Sequence, residues 1–308
     1  MWNLEVEPDS ALGLGIDAGG TQTRWALASP DGSIVAEGNA AGLSALQMGN
    51  AAGRQIVHAT FAMLARAVLK HGRPSRVRAG LTGFGGDGEQ LQRWLSEQLG
   101  LGSRSIVLCN DIEIAYLDSF AAGEGYLVYA GTGSIGAWID KGKVFHRAGG
   151  RGVTLDDGGG GFWIAREALR QIWRNEDECP GVWRLSPMAC AVFAHIGGDD
   201  WALSRQFIYG QERGEVGKLA LAVAATADTD PAAAAILHAA GQELARLAKA
   251  LTARFGARPV VLAGRASGLH PIIAEAMRAA LPAGTAMTQT VGHAHYAAAR
   301  LAAKDIPT

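Results

Sequence analysis

The chain contains the stretch Gly15-Ile16-Asp17-Ala18-Gly19-Gly20-Thr21-Gln22-Thr23-Arg24-Trp25-Ala26-Leu27, and a second stretch of the same design reads Leu127-Val128-Tyr129-Ala130-Gly131-Thr132-Gly133-Ser134-Ile135-Gly136-Ala137-Trp138. Each has an apolar strand, a tight turn of glycine and hydroxyl residues, and a second apolar strand. Glycine lets the backbone turn sharply and lets a bulky anion approach it. Consecutive N–H groups in such a turn form a nest for phosphate oxygens, and Thr and Ser hydroxyls add donors. The pair predicts that two turns hold one polyphosphate from opposite sides.

Composition narrows the class of protein. A chain of 308 residues favours about two domains. The net charge of −1 provides no overall field that would attract nucleic acid or an anionic membrane. Residues 1–10 lack the basic start and apolar run of a signal peptide, and no apolar run approaches the ~20 residues of a membrane helix. We therefore expect a cytoplasmic protein with no nucleic-acid partner and no membrane partner.

The three cysteines, Cys109, Cys179 and Cys190, have no paired spacing. An odd count without such spacing argues against a disulfide framework and against a metal knuckle. Cys109 ends an apolar strand-like run, which predicts a buried core thiol.

The order of elements predicts an α/β protein with an internal repeat. Predicted strands at 12–16, 23–28 and 34–40 are followed by alternating helices and strands up to residue 120. The stretch 121–125 is a candidate boundary, after which strands at 126–130, 135–139 and 144–146 begin the plan again. We expect an N-terminal domain at 1–120 and a C-terminal domain at 121–308, with the alternative that the last helix packs on the N-terminal domain.

The motifs follow one another in the order known from one superfamily. They are residues 17–23, 80–86, Asn110-Asp111, 131–134, 149–163 and 263–268. In this order they resemble the actin-like ATPases, which include sugar kinases and actin. Within them the chain is most similar to the BadF/BadG/BcrA/BcrD-type ATPases and to the N-acetylglucosamine and glucosamine kinases. The resemblance implies a two-domain actin-like ATPase (ribonuclease H-like) fold with an interdomain cleft.

The resemblance also implies ATP and Mg²⁺ as cofactors. It assigns nucleotide binding to Gly19, Gly20, Thr21, Thr23, Gly131, Thr132, Gly133 and Ser134, and to Gly264 and Ser267 in the adenosine loop. Asp17 lies beside a phosphate nest, where a carboxylate would be repelled unless a cation intervened. We therefore expect Asp17 to hold Mg²⁺ through water molecules, because Mg²⁺ keeps much of its hydration shell. The alternative is an Asx-turn residue that only shapes the hairpin.

Asp111 follows a predicted strand and opens a helix. A carboxylate at that position of an open α/β sheet points to the ligand-binding edge. The resemblance implies that Asp111 is the general base that accepts the proton of the attacking sugar hydroxyl. The alternative is that Asn110-Asp111 only caps the helix.

The run 149–163 corresponds to the sugar-contacting stretch of these kinases. The resemblance implies substrate contacts from Ser44, Asn110, Thr132, Gly150, Arg151 and Asp157. The chain departs from the kinase pattern at three positions: Arg151 replaces Trp, Asp156 replaces Gly, and Gly158 replaces Glu. Arg151 suggests a preference for an anionic sugar, because a guanidinium pairs well with a carboxylate or phosphate. The alternative is that Arg151 points to solvent or pairs with Asp156.

The sequence thus predicts an ATP-dependent carbohydrate kinase, with glucosamine or N-acetylglucosamine as the substrate by resemblance. The alternative is a BadF/BadG-type ATPase or nucleotide-binding module without sugar kinase activity. An iron–sulfur activator is disfavoured by the cysteine pattern, and a sugar-responsive repressor by the absence of a predicted N-terminal helix-turn-helix. The predicted partner is a small-molecule sugar, and a homodimer is left open.

Overall fold

The structure is a computed structural model, and it describes residues 11–306. The described residues up to Phe120, together with those from His293 onward, form one compact unit, and Ala121–Gly292 form another.

The strands and helices alternate along the chain. The strands are β1 (Leu12–Ala18), β2 (Gln22–Ala28), β3 (Ile34–Ala41), β4 (Pro74–Leu81), β5 (Ile106–Asn110), β6 (Tyr126–Ala130), β7 (Ser134–Ile139), β8 (Phe145–Gly149), β9 (Val260–Ala263) and β10 (Met287–Gln289). The α-helices are α1 (Ala51–Val68), α2 (Glu89–Leu99), α3 (Asp111–Ser119), α4 (Gly161–Glu178), α5 (Pro187–Ile196), α6 (Trp201–Gly210), α7 (Arg213–Gly217), α8 (Leu219–Thr226), α9 (Pro231–Phe255), α10 (Pro271–Ala280) and α11 (Ala294–Lys304).

The two units contain sheets of the same strand order. The first sheet runs β3-β2-β1-β4-β5, and the second, read from its other edge, runs β8-β7-β6-β9-β10. In each, the first three strands are antiparallel and the last two are parallel to the first. The predicted α/β class and the repeat of strand–turn–strand are confirmed. Each unit carries one of the two glycine turns between its first two strands.

The two faces of β1 are packed differently. Successive side chains of a strand point to opposite faces. Leu14 and Ile16 join the core cluster that contains Phe61 of α1. The other face is lined by glycine, and α11 lies close against it: a Cβ on Gly15 would be 2.1 Å from the carbonyl oxygen of His295. Asp17 continues this glycine-lined set of positions at the end of the strand.

The second unit is built around α9, whose buried side carries Leu244, Leu247 and Leu251. The last two of these side chains pack against Gly136 of β7 and Gly149 of β8. A Cβ on Gly149 would be only 2.6 Å from Leu247 Cδ2. The small residues of the sheet thus allow α9 to pack close to it. Helices α4 to α8 and α10 also belong to this unit.

Several sequence expectations need correction in the second unit. The sequence of residues 214–227 predicts one helix, but the structure has two, α7 and α8, because the chain makes a tight turn at Lys218, whose N–H donates to Glu215 O at 3.0 Å. Helix α6 was not predicted; Asp200 begins it by accepting the Ala202 N–H at 2.6 Å. The strand expected at 144–146 is β8, which starts at Phe145 and continues to Gly149.

Cys109 lies in the core of the first unit, as its position in an apolar strand predicted. Its side chain is buried, and burial raises the pKa of the thiol to about 12. In the described part of the chain, no single helix is long and apolar enough to cross a membrane, while one strongly bent pair, Arg213–Thr226 with Pro231–Phe255, passes the same test of length and composition.

Candidate active site

The first glycine turn, Gly19–Thr21, joins β1 to β2. The Gly19 N–H donates to Gln22 O at 3.0 Å, and this bond closes the base of the turn. The Leu43 N–H donates to Gly19 O at 3.0 Å. Gly20 and Thr21 are exposed, and within residues 11–306 their N–H groups donate no hydrogen bond. Two adjacent unpaired donors in a tight turn form a nest for an anion.

Thr23 lies in a different environment from Thr21. It is on β2, its side chain is fully buried at 0 % exposure, and its hydroxyl has no partner within the described residues. A hydroxyl inside the core does not reach a ligand in solvent, so the nest consists of the N–H groups of Gly20 and Thr21.

The second glycine turn, Gly131–Gly133, joins β6 to β7. The Gly131 N–H donates to Gly133 O at 2.9 Å, while the carbonyls of Gly131 and Thr132 accept from the first two residues of α4, at 2.8 and 2.9 Å. The N–H groups of Thr132 and Gly133 donate no hydrogen bond within the described residues. The two turns therefore share one property: a closed base and two adjacent unpaired donors at the tip.

The Ser134 side chain lies in the interior of the second unit. It is buried, and its hydroxyl donates to Gly158 O at 2.7 Å. Its side chain therefore joins the second turn to the run 149–163, which we call the substrate loop.

Asp17 is paired with Arg24. The two residues are opposite each other on β1 and β2, the Arg24 guanidinium donates to Asp17 Oδ2 at 2.7 Å, and the Asp17 side chain is 16 % exposed. Within residues 11–306, no group of three His, Cys, Asp or Glu side chains is arranged to hold a metal ion. Mg²⁺ commonly uses one or two carboxylates together with phosphate oxygens and water. Asp17 has the chemistry to be such a single carboxylate.

Asp111 begins α3 beside the end of β4. The Thr82 hydroxyl donates to its Oδ2 at 2.5 Å, and the Ile112 N–H donates to its Oδ1 at 3.0 Å. Burial raises the pKa of Asp111 to about 6, and the negative charge of Asp17 adds to this shift. Gly80 makes the position possible, because a Cβ there would be 3.0 Å from the Asp111 Cα. A carboxylate with a pKa near 6 is ionised at neutral pH and is a stronger base than an ordinary one.

Asn110 and Ser44 both cap helices. Asn110 Oδ1 accepts the Ile112 N–H at 3.0 Å, and the Asn110 N–H in turn donates to Glu113 Oε1 at 3.1 Å. Ser44 caps a short 3-10 helix, Ala45–Gly49, and its hydroxyl donates to Thr82 O at 3.0 Å. Asn110 therefore shapes the start of α3, where Asp111 lies, and Ser44 ties the loop after β3 to Thr82.

Asp157 is the central residue of the substrate loop. It is 8 % exposed and has a φ of +57°, a left-handed conformation that Asp tolerates better than most residues. Its Oδ1 accepts the Gly152 N–H at 3.0 Å, and burial raises its pKa. Its Oδ2 lies against the second turn, since a Cβ on Gly133 would be 2.2 Å from it. Gly150, with a φ of +61°, donates its N–H to Ser134 O at 3.1 Å.

Two of the three departures from the kinase pattern lie against α9. Arg246 donates two hydrogen bonds to the Asp156 carboxylate, at 3.1 and 3.0 Å, and one to Glu243 at 2.9 Å. We call Asp156, Arg246 and Glu243 the clasp. Gly158 leaves room for it, because a Cβ there would be 2.7 Å from Glu243 Oε2. Arg151 is exposed, and the partner of Asp156 is Arg246 rather than Arg151.

The predicted adenosine loop follows β9. Gly264 has a φ of +95°, and a Cβ there would be 2.4 Å from Ala130 O, so close approach to β6 requires glycine. Ser267 is buried and its hydroxyl donates to Gly264 O at 2.7 Å. Both residues fix the shape of this loop beside the strand that leads into the second turn.

Sequence reasoning missed Thr82 and the clasp. Both depend on contacts between residues far apart in the chain: Thr82 is 29 positions from Asp111, and Arg246 is 90 positions from Asp156. The signal at Thr82 was a hydroxyl residue at the end of a strand beside Gly83, inside a motif already singled out. Arg246 gave no signal, because an Arg on a helix after a Glu three positions earlier is typical of an ordinary solvent-facing pair.

Two matching sheets, each with a glycine turn after its first strand, define a two-domain α/β protein of the actin-like ATPase class. The chain belongs to the BadF/BadG/BcrA/BcrD ATPase family, whose sequence profile matches residues 14–282.

Among curated proteins, the chain is similar to the glucosamine kinase GspK of Vibrio cholerae, with 27 % identity over 187 residues. That match covers 60 % of this chain and 62 % of the relative. A solved structure described as a candidate N-acetylglucosamine kinase from Chromobacterium violaceum is 27 % identical, with a TM-score of 0.70 over 96 % of this chain and 100 % of that one. Another, from Porphyromonas gingivalis, is 16 % identical with a TM-score of 0.73 over 95 % and 99 %, and shows the shared fold.

Proposed function

We propose that this protein is an ATP-dependent kinase of an amino sugar, glucosamine or N-acetylglucosamine. The observation that carries the proposal is Asp111, a half-buried carboxylate with a pKa of about 6 in the same unit as a glycine turn with unpaired donors. A base of this kind suits the abstraction of a hydroxyl proton at neutral pH. The similarity to proteins named as glucosamine and N-acetylglucosamine kinases supports the choice of sugar.

The two turns fit the phosphate groups of ATP. Gly20, Thr21, Thr132 and Gly133 supply backbone donors that nothing else in the described residues uses. Apart from the residues on either side of it in the chain, nothing in residues 11–306 lies within 4 Å of the place where a Cβ on Gly20 would stand, so that face of the first turn is open to a bulky anion. Asp17 would hold Mg²⁺, which neutralises charge on the phosphates during phosphoryl transfer. Arg24 keeps the Asp17 carboxylate oriented in the absence of the ion.

In the proposed reaction, Asp111 accepts the proton that the sugar hydroxyl loses. A sugar hydroxyl oxygen forms a bond to the γ-phosphorus of ATP, the bond from that phosphorus to the bridging oxygen breaks, and ADP leaves. Asp111 accepts the hydroxyl proton, so no free proton has to pass to water during the attack. Help from a positioned base contributes about 10²–10⁴ in rate, and positioning and charge neutralisation contribute the remainder.

Asp157 and the substrate loop would bind the sugar. The Asp157 carboxylate is held by Gly152 and adjoins the second turn, so one residue connects the sugar contact with the phosphate contact inside one unit. Asp156 and Glu243 add negative charge near it, of which Arg246 balances a part. The Asp157 carboxylate suits the hydroxyl and ammonium groups of glucosamine better than it suits the carboxylate of a sugar acid.

The test is a screen for ADP release with the purified protein and MgATP. The substrates are glucosamine, N-acetylglucosamine, glucose, and the sugar acid glucuronic acid. We expect turnover with an amino sugar to exceed the sugar-free rate by at least 10²-fold and to exceed turnover of glucuronic acid. MgATP hydrolysis that no sugar stimulates would instead identify an ATPase without sugar kinase activity. Preferential turnover of glucuronic acid would contradict the choice of an amino sugar and would indicate that Arg151 binds an anionic sugar.

A further inference from the structure

We infer that Thr82 is a positioning residue for phosphoryl transfer: its hydroxyl fixes the orientation of the Asp111 carboxylate toward the sugar hydroxyl. The inference rests on the proposed function, because it assigns Thr82 a role in the action of the proposed base. Thr82 itself contacts neither the sugar nor the phosphate in this account.

Two hydrogen bonds orient the Asp111 carboxylate. The Thr82 hydroxyl donates to Oδ2 at 2.5 Å, and the Ile112 N–H, which Asp111 shares with Asn110 Oδ1, donates to Oδ1 at 3.0 Å. The first bond comes from the end of β4 and the second from the first turn of α3, so the two donors hold the two oxygens from different elements. A carboxylate held at both oxygens keeps its remaining lone pairs in fixed directions. Fixed lone pairs are what a general base needs, because proton abstraction requires a short and aligned hydrogen bond.

Thr82 is itself held rigidly. Its N–H donates to Ala18 O at 2.9 Å, and its carbonyl accepts the Ala45 N–H at 2.9 Å and the Ser44 hydroxyl at 3.0 Å. Its backbone is therefore bound to the end of β1 and to the short helix after β3. These are the segments that carry and cover the first glycine turn, since the Leu43 N–H donates to Gly19 O at 3.0 Å. The position of the hydroxyl is thus set by the same backbone that forms the proposed phosphate nest.

The elements around Asp111 carry several charged groups, of which only Asp17 shifts the pKa of Asp111 in the described part of the chain. Asp17 on β1 acts on Asp111 directly and raises its pKa. Arg78 on β4 is 3.1 Å from the Asp305 carboxylate, which follows α11. On α3 itself, Glu113 accepts the backbone N–H that precedes Asp111.

The remaining group is on α11, which also packs against α3. His295 is buried, and burial lowers its pKa to about 4, so it is neutral in the range in which Asp111 titrates. The donor that reaches the Asp111 side chain from another element is the uncharged hydroxyl of Thr82.

The experiment compares Thr82→Val, Thr82→Ser and Ser119→Ala in steady-state kinetics with MgATP and the preferred sugar. Valine keeps the shape of threonine without the hydroxyl, serine restores the hydroxyl, and Ser119→Ala removes a hydroxyl from the far end of α3, where it donates to Ala115 O. We expect Thr82→Val to lower kcat by about 10- to 100-fold with KM for both substrates changed less than threefold. Thr82→Ser is expected to restore kcat to within about fivefold of wild type, and Ser119→Ala to leave it unchanged.

A second readout does not depend on kinase activity. The Asp111 carboxyl is followed by ¹³C NMR as a function of pH in the wild type and in Thr82→Val. Loss of the hydroxyl, which stabilises the charged form, is expected to raise the midpoint by about 0.5–1 pH unit. The acid limb of kcat/KM is expected to move with it. If Thr82→Val does not fold, Thr82→Ala provides the same comparison with less bulk.

The outcomes separate the two proposals. If the wild type shows no sugar phosphorylation, the proposed function fails, whatever the NMR titration gives. If the wild type is a kinase and Thr82→Val keeps a normal kcat with an unmoved NMR midpoint, the inference about Thr82 is wrong. A loss of kcat that Thr82→Ser does not restore would also overturn it, because such a loss would come from packing rather than from the hydroxyl.

Discussion

Gly133 and Gly20 occupy the tips of the two glycine turns, but a methyl group would meet different surroundings at each. At Gly133 an added Cβ would be 2.2 Å from Asp157 Oδ2, whereas at Gly20 it would meet nothing within 4 Å in the described part of the chain beyond its own chain neighbours. A substitution at Gly133 therefore disturbs the protein itself, whereas a substitution at Gly20 reports on the approach of a ligand.

Gly133→Ala and Gly20→Ala form a matched pair. We expect Gly133→Ala to lower the free energy of unfolding by about 1–3 kcal/mol, because Asp157 has to move out of its place. We expect Gly20→Ala to change stability by less than about 0.5 kcal/mol but to weaken MgATP binding about tenfold or more. Chemical denaturation and calorimetric titration measure the two effects. A Gly20→Ala variant with normal MgATP affinity would show that the first turn does not approach the phosphates.

The raised pKa of Asp111 also predicts a pH-dependent effect on stability. Its folded value is about 6 against an ordinary value of 3.8, so between these pH values the folded protein holds more protons than the unfolded chain. The contribution of Asp111 to stability therefore falls as the pH rises from about 4 to 6. Asn cannot ionise, so Asp111→Asn is expected to gain roughly 1–3 kcal/mol relative to wild type between pH 4 and pH 7. A difference between the two proteins that stays constant with pH would contradict the shifted pKa.

At the level of elements, the clasp ties the substrate loop to α9. Arg246 reaches Asp156 from the exposed side of the helix and is itself held by Glu243. Asp157, the next residue in the loop, has a left-handed backbone and depends on its neighbours to stay there. The clasp therefore supports the conformation in which Asp157 adjoins the second turn.

Arg246→Ala is expected to raise KM for the sugar about 3- to 30-fold while KM for MgATP changes less than twofold, because the substrate loop loses its anchor and the glycine turns do not. Lys249→Ala, on the exposed side of the same helix, is the control and is expected to behave as wild type. Equal effects of the two variants on the sugar KM would mean that the loss of a surface cation, and not the clasp, is responsible.

Helix α11 joins the first unit through close contact with β1. A Cβ on Gly15 would be 2.1 Å from His295 O, and one on Gly13 would be 2.2 Å from Ala303 N. Because both clashes involve backbone atoms, Gly15→Ala is expected to lower the free energy of unfolding by about 3 kcal/mol. Gly102→Ala, at a site where a Cβ meets nothing within 4 Å, is expected to leave stability within about 0.5 kcal/mol. A Gly15→Ala variant as stable as wild type would contradict this packing.

The sequence predicted those elements whose signals are local. The strands before and after each glycine turn are visible as apolar runs beside glycine, and α9 begins at Pro231 after the Asp230 cap, as expected for a helix start. Helix α6 was missed because its exposed face carries Trp201 and Tyr209, which blurs the apolar stripe. The burial of the Thr23 side chain was also not predictable, because it depends on how α1 and its neighbouring elements pack against the hairpin.

For the whole molecule, the repeated sheet explains why the two glycine motifs are so far apart in the chain. Each unit contains the same strand order, and each places its turn after its first strand. The first unit adds Asp17 and Asp111, and the second adds Asp157 and the substrate loop. Under the proposed function, the repeat would provide two phosphate nests, and the differences between the halves would provide the base and the sugar contact.

The central claim is that this chain transfers the γ-phosphate of ATP to an amino sugar with Asp111 as the base. The most direct measurement is mass-spectrometric detection of the sugar phosphate after incubation of wild type and Asp111→Asn with MgATP and glucosamine or N-acetylglucosamine. We predict a product 80 Da heavier than the sugar, formed by wild type and slowed about 10²-fold or more in Asp111→Asn, with MgATP binding retained. No sugar phosphate from wild type, or equal rates in the two proteins, would contradict the account.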